Sequence, residues 1–243
     1  MISKLLSPKT ITEYDRAITH LFLRYDIDSE SNTNLEDICK KNNINTNLLV
    51  DLAECYNNIN LAKNKTFESY QILDLIDYLE KSHSYYLNKR IPEIEQSLDK
   101  SFLHEKHSFN LLFIKFFKEY KKDIVIHFKN EEQNLFPFCK VLVNYSKTNS
   151  QENLIYLLEN KNNVLNQLKN HQKNSEEINN LQRLLINYKV DSKKLSFFEV
   201  FLNQMSIFQK DLKIHAEIED HVLTNKVLNL MEELDLKDVL GNI

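Results

Sequence analysis

One glycine, Gly241, and three prolines, Pro8, Pro92 and Pro137, leave the 243-residue chain almost without the chemistry of tight hairpin turns. A sheet-rich fold is disfavoured on that ground. Cysteine is equally sparse: Cys39, Cys55 and Cys139 are well separated, odd in number and not arranged as C-x-x-C. Neither a disulfide framework nor a thiolate zinc site is expected, and reduced thiols of a cytoplasmic protein are the natural reading. Long apolar runs are missing too. The longest, residues 111–114, ends at Lys115, far short of a membrane span, and the opening stretch MISKLLSPKTITEYDR has no sustained apolar region of the signal-peptide kind. Charge of one sign is also lacking. The formal net charge is −4 with both signs interspersed, so there is no basic face for nucleic acid.

What the chain does have is helical periodicity. Residues 1–60 read as a small module of short helices. Thr10 or Thr12 is a candidate cap before AITHLFLRY, Leu35 opens a second segment, and Asn45 or Thr46 opens a third. The polar stretch 57–67 reads as a linker. Beyond it, from 66 to 243, apolar residues recur at three- and four-residue intervals along four stripes. The first runs through Ile72, Ile76, Leu79, His83, Leu87, Ile91 and Ile94; the second through Tyr120, Ile124, His127, Glu131, Leu135, Phe138 and Leu142. The third runs through Leu154, Leu158, Leu165, Leu168, His171, Ser175, Ile178 and Leu185; the fourth through Phe208, Leu212, His215, Glu219, Val222 and Leu230. Breaks are expected around 99–107, 144–151 and 190–196. Long helices joined by short connections pack as antiparallel neighbours, so the expected fold is all-α: an up-down four-helix bundle preceded by the helical module.

Each stripe carries a histidine in a slot otherwise reserved for a core residue. His83, His127, His171 and His215 are spaced 44 residues apart, and His127 and His215 are each followed four residues later by Glu131 and Glu219. The midpoints between successive histidines fall in the expected turns, which puts all four at one level of an antiparallel bundle. Residues i and i+4 lie one above the other on a helix, so each H-x-x-x-E turn offers an imidazole and a carboxylate to one point. Leu87 and Ser175, the i+4 neighbours of His83 and His171, do not ligate. Four His and two Glu make a mixed nitrogen and oxygen set suited to two ions of iron, manganese or zinc. A single H-x-x-x-E turn would be unremarkable as an exposed helical ion pair. Two such turns on apolar stripes, with a lone histidine 44 residues before each, are not explained that way. His20, His104, His107 and His221 lie off this pattern; Glu132 and Asp220 read as solvated neighbours able to orient an imidazole.

The stretches LDLIDYLEKSHSYYLNKRIP at 73–92, HFKNEEQNLFPF at 127–138, the lone His171 and HAEIEDHVL at 215–223 resemble the RIC family of iron-sulfur cluster repair proteins. The resemblance covers nearly the whole chain. It implies a hemerythrin-like bundle and a non-haem di-iron centre, oxo- or hydroxo-bridged when oxidised, held by His83, His127, Glu131, His171, His215 and Glu219. It also implies a stress-response function, the repair of clusters damaged by nitric oxide or oxidants. Iron delivery or reaction with nitrogen oxides would be the means, and damaged iron-sulfur proteins the partners. The chain departs from the family where a Cys-Cys pair is usual: Ile27-Asp28 is followed by Ser29 to Asn32, which leaves docking or homodimer formation to the N-terminal module. It departs again at Leu223-Thr224-Asn225, where Leu-Phe-Pro is usual. Oxygen-carrying hemerythrins use H-x-x-x-H on the third helix and H-x-x-x-x-D on the fourth, a pattern that His171/Ser175 and His215/Glu219 do not follow. An oxygen or nitric oxide sensor or carrier on the same bundle is the alternative.

Overall fold

The computed structural model describes residues 2–63, 65–102, 108–171 and 195–236, and among them every regular element is helical, with no strand. The N-terminal portion holds four short helices: α1 (Pro8–Tyr14), α2 (Ile18–Arg24), α3 (Leu35–Lys41) and α4 (Thr46–Asn57). Ser7 caps α1 by accepting from the Thr10 amide at 3.2 Å, with Pro8 following it. Proline suits the first helical position because no amide partner is available there anyway. Thr10 and Thr12 therefore lie inside α1 rather than capping the helix after it. Asn34 caps α3 through the Asp37 amide at 2.8 Å, and Asn45 caps α4 through that of Leu48 at 3.2 Å, as their positions ahead of apolar runs predict.

The stretch expected to be a linker forms two 3-10 turns, Ile59–Lys63 and Lys65–Ser69, whose Ala62 and Phe67 are buried. It is packed against its neighbours.

Four rods follow. The first joins α5 (Ile72–Tyr85) to α6 (Ile91–Phe102) through the π turn Tyr86–Arg90. The second joins α7 (Ser108–Asn130) to α8 (Phe136–Thr148) through the π turn Glu131–Leu135. The third is α9 (Gln151–His171), and the fourth joins α10 (Leu195–Glu217) to α11 (Thr224–Glu233) through the π turn Ile218–Leu223. Between α8 and α9 the turn narrows to two residues. Asn149 closes α8 in the left-handed region at φ 49°, a position asparagine tolerates better than most residues. Of the breaks expected at 99–107 and 190–196, residues 99–102 are instead the end of α6 and 195–196 the start of α10, while 103–107, with His104 and His107, and 190–194 lie outside the described residues.

Packing follows the first two stripes and the fourth as far as Val222, and departs on part of the third and at the end of the fourth. α6 lies along α10, α8 along α9, and α5 against both α8 and the π turn of the fourth rod. On α9 the buried residues are Leu157, Lys161, Val164 and Leu168, whereas Leu158 is exposed. Of the expected third stripe Leu168 is in the core, but Leu158 and Leu165 are each one residue past the buried Leu157 and Val164, and Leu154 and Leu165 only flank the core. In α11 the buried pair is Val227 and Met231, with Leu230 at the margin, because the π turn before it adds a residue and rotates the face.

The apolar interior has two parts. One runs without a break from Ile11, Leu21, Phe22, Leu49 and Leu52 of the N-terminal helices into Leu75, Leu79, Phe138, Leu142, Ile214 and Met231 of the rods. The other is aromatic, built from Tyr86, Phe117, Phe128, Phe198, Phe201 and Phe208 with Ile91, Ile94 and Leu98. Full burial of one such side chain contributes about 1.5–3 kcal/mol, several times an exposed ion pair such as Lys4–Glu36. The N-terminal helices are thus held to the rods mainly by apolar contact.

One contact across this seam is sensitive to pH. His20 of α2 places Nδ1 2.6 Å from the Tyr85 hydroxyl, and burial, reinforced by Arg90, lowers its pKa from 6.5 to about 4. The unfolded chain takes up this proton below 6.5 while the folded chain does not until about 4. The stabilisation is therefore complete above 6.5 and is lost as the pH falls through about 4. Denaturant titrations at pH 7 and pH 5 should show His20 alone removing about 2 kcal/mol of stability. His20→Asn should flatten that loss; an unchanged pH profile in the variant would contradict the assignment.

Candidate metal centre

Between the two apolar clusters lies a polar layer. His83 comes from α5, Glu131 from the start of the second rod's π turn, His215 from α10 and Glu219 from the fourth rod's π turn; all four are at most 2% exposed. His127, near the end of α7, is partly exposed. The imidazoles point their Nε2 atoms inward. His83 Nε2 lies 3.1 Å from Glu131 Oε2 and 3.2 Å from His215 Nε2. His127 Nε2 lies 2.8 Å from Glu131 Oε1, and His215 Nε2 lies 3.6 Å from Glu219 Oε2. Five of the six residues singled out by their spacing are thereby together. The sixth, His171, is the last residue of α9; its side chain lies outside those described.

The residues form two overlapping donor triads, His83/Glu131/His215 and His127/Glu131/Glu219, with the donor atoms of each within 4.8 Å of one another. Two donors on one ion at metal bond lengths of about 2.1 Å stand roughly 3.0–3.4 Å apart. The 3.1 and 3.2 Å separations around His83 match that span. Glu131 belongs to both triads and turns a different oxygen to each.

Electrostatics agree with this fit. Burial, reinforced by the adjacent His83 ring, pushes His215 well below the ordinary histidine range, so it stands as a neutral imidazole, the form that ligates. A neutral His215 does nothing to offset two carboxylates buried at 0% and 1% exposure, each of which would otherwise cost several kcal/mol. A pair of divalent cations would offset both.

Around the donors, His83 is held on two sides. Its Nδ1 lies 3.2 Å from Glu132 Oε1, and its ring stacks on Phe128 at 4.0 Å and on Phe136 at 5.4 Å. Glu132 is thus the carboxylate that fixes the ring and makes Nε2 the donor atom. The sequence offered Glu132 only as a neighbour able to do this, and Phe128 was not singled out at all.

Burial pushes the Cys139 thiol up, as suits a structural cysteine, and His221 is exposed beside Glu217 at 3.2 Å. No helix among the described residues is long and apolar enough to cross a membrane.

The three π turns were not anticipated. One begins three residues after His83, one opens with Glu131, and one contains Glu219. Each holds one residue more than an α turn, which re-aims the side chains at its start. A signal existed for two of them. Pro92 and Pro137 each stand two residues past a π turn, inside a helical stripe where a proline conflicts with the α hydrogen-bond ladder. The third turn ends at Leu223, directly before Thr224-Asn225, and forms without any proline.

Compared with protein-family models, with curated proteins and with solved structures, the chain gives no match.

Deleting the exposed Gln133 from the second π turn should let that rod close as α-helix and swing Glu131 by about 100° relative to α8. Circular dichroism should then report retained helicity, and metal analysis the loss of most bound metal; full metal content would show that the π turn does not aim Glu131. Glu132→Gln should leave the fold intact and weaken metal binding about 10-fold, measured by competition with a chelator.

Proposed function

We propose that this chain is a non-haem di-iron protein of the RIC type, a hemerythrin-like antiparallel four-helix bundle that helps restore iron-sulfur clusters damaged by nitric oxide or oxidants in the cytoplasm. One observation carries the reading: Glu131 is fully buried and directs Oε1 to His127 at 2.8 Å and Oε2 to His83 at 3.1 Å. A carboxylate between two imidazoles, one at each oxygen, has the disposition of a bridge between two ions.

On this reading His83, Glu131 and His215 would hold one ion, and His127, Glu131 and Glu219 the other. His171 joins them by its sequence spacing. A bound iron pair supplies exchangeable positions for small nitrogen oxides and a store of iron for a damaged cluster. The protein's part is to set those positions. Glu132 and the Phe128 and Phe136 rings fix His83, and the two apolar clusters exclude water on either side. Two of the six proposed ligands are carboxylates, fewer imidazoles than the hemerythrin pattern supplies, which favours reaction or transfer over reversible oxygen carriage.

Protein purified anaerobically from iron-replete cells should contain close to two iron ions per chain, an expectation that follows from the two donor triads. Glu131→Ala should lose most of them. One ion or none in the native chain, or an unchanged content in the variant, would defeat the proposal. Titration of the reduced protein should give a nitrosyl spectrum with nitric oxide and irreversible oxidation with O2; an oxygenated form that reverts under vacuum would favour the carrier.

A further inference from the structure

Glu132 orients His83, but His215 has no such partner. Its Nδ1 is buried and meets no hydrogen-bond acceptor. Its polar contacts are all at Nε2, and around the rest of the ring there is only packing: Tyr86 lies edge-on at 5.8 Å, Phe128 is tilted at 5.8 Å and Tyr78 is tilted at 6.3 Å.

Both tyrosines are pinned from the N-terminal helices. Arg24 of α2, fully buried, donates to the Tyr78 hydroxyl at 3.2 Å and to that of Tyr86 at 3.0 Å. Its guanidinium lies over both rings, 4.9 Å from the centroid of Tyr86 and 5.5 Å from that of Tyr78. Arg24 also pairs with Asp211, which is 2% exposed and one helical turn before His215 on α10. Asp211 accepts in addition from the Tyr56 hydroxyl of α4 at 2.6 Å. The guanidinium therefore ties together the two rings beside the imidazole and the helix that carries it.

We infer that Arg24 is a positioning residue for His215, and that residues 2–57 form a wall of the metal centre. This rests on the reading of His215 as a ligand. A planar guanidinium meets two phenols and a carboxylate at fixed angles, which a lysine ammonium would not reproduce. A buried ion pair often adds little net stability over well-packed apolar replacements, so removing both partners together costs the fold less than removing either alone. Its contribution to the geometry of the centre is thereby separable from its contribution to the fold.

The test uses the full chain as wild type, Arg24→Lys, the double variant Arg24→Met/Asp211→Leu, and Tyr78→Phe/Tyr86→Phe, which keeps both rings and removes the hydroxyls. Metal-free helicity is recorded by circular dichroism, followed by anaerobic ferrous titration and Mössbauer spectra of the loaded protein. Folded variants should bind one of the two iron equivalents about 10- to 100-fold more weakly and show one altered iron signal, with Arg24→Lys recovering only part of the loss. If the Met/Leu variant fails to fold, the Phe/Phe variant decides alone. Folded variants with wild-type affinities and spectra overturn the inference and leave the iron reading standing. A wild-type chain that takes up no iron overturns both.

Discussion

Two carboxylates in the middle of an apolar interior set the terms for the rest of this fold. Glu131 and Glu219 sit between an aliphatic cluster that extends into the N-terminal helices and an aromatic cluster at the other end of the rods. Uncompensated, such groups would oppose folding by several kcal/mol each, against a total stability of only about 5–15 kcal/mol for a typical domain. Burial keeps His215 neutral, so that imidazole does not offset them. On the proposed reading the compensation comes from ions, and the shared position of Glu131 between two triads suits two of them.

The geometry of the layer then follows from local departures in the helices. An unbroken α-helix repeats its faces at a fixed angle, and one residue more in a turn shifts that angle for everything beyond it. Among the described residues three rods carry such a turn at the polar layer. Side chains that would otherwise fan out are brought to a common point, while apolar faces on either side keep their own registers, as Val227 and Met231 show beyond Glu219.

The legible part of this was the part written as a period. The 44-residue spacing of the histidines, the two H-x-x-x-E turns and the phase of three stripes depend on residue type at regular intervals, which a sequence displays directly. The third stripe misled because α9 buries Lys161, a residue whose long stem lets it occupy an apolar face, and so Leu158 was taken in place of Leu157. The π turns depend on one inserted residue with no type of its own; only Pro92 and Pro137 hinted at two of them. Arg24 and Asp211 are 187 residues apart, and each alone reads as an ordinary charge beside an apolar run. Their pairing is a property of the packed chain, and it ties the N-terminal helices to α10, the helix that carries His215.

The most direct test of the account is anomalous diffraction at the iron edge from crystals of the iron-loaded protein. The account predicts two anomalous peaks, one at each oxygen of Glu131, separated by about 3.5–4 Å as in two-metal sites. One peak should lie against the Nε2 atoms of His83 and His215, the other against His127 and Glu219. A single peak, or two peaks on the same oxygen of Glu131, would contradict the bridge on which the functional reading depends.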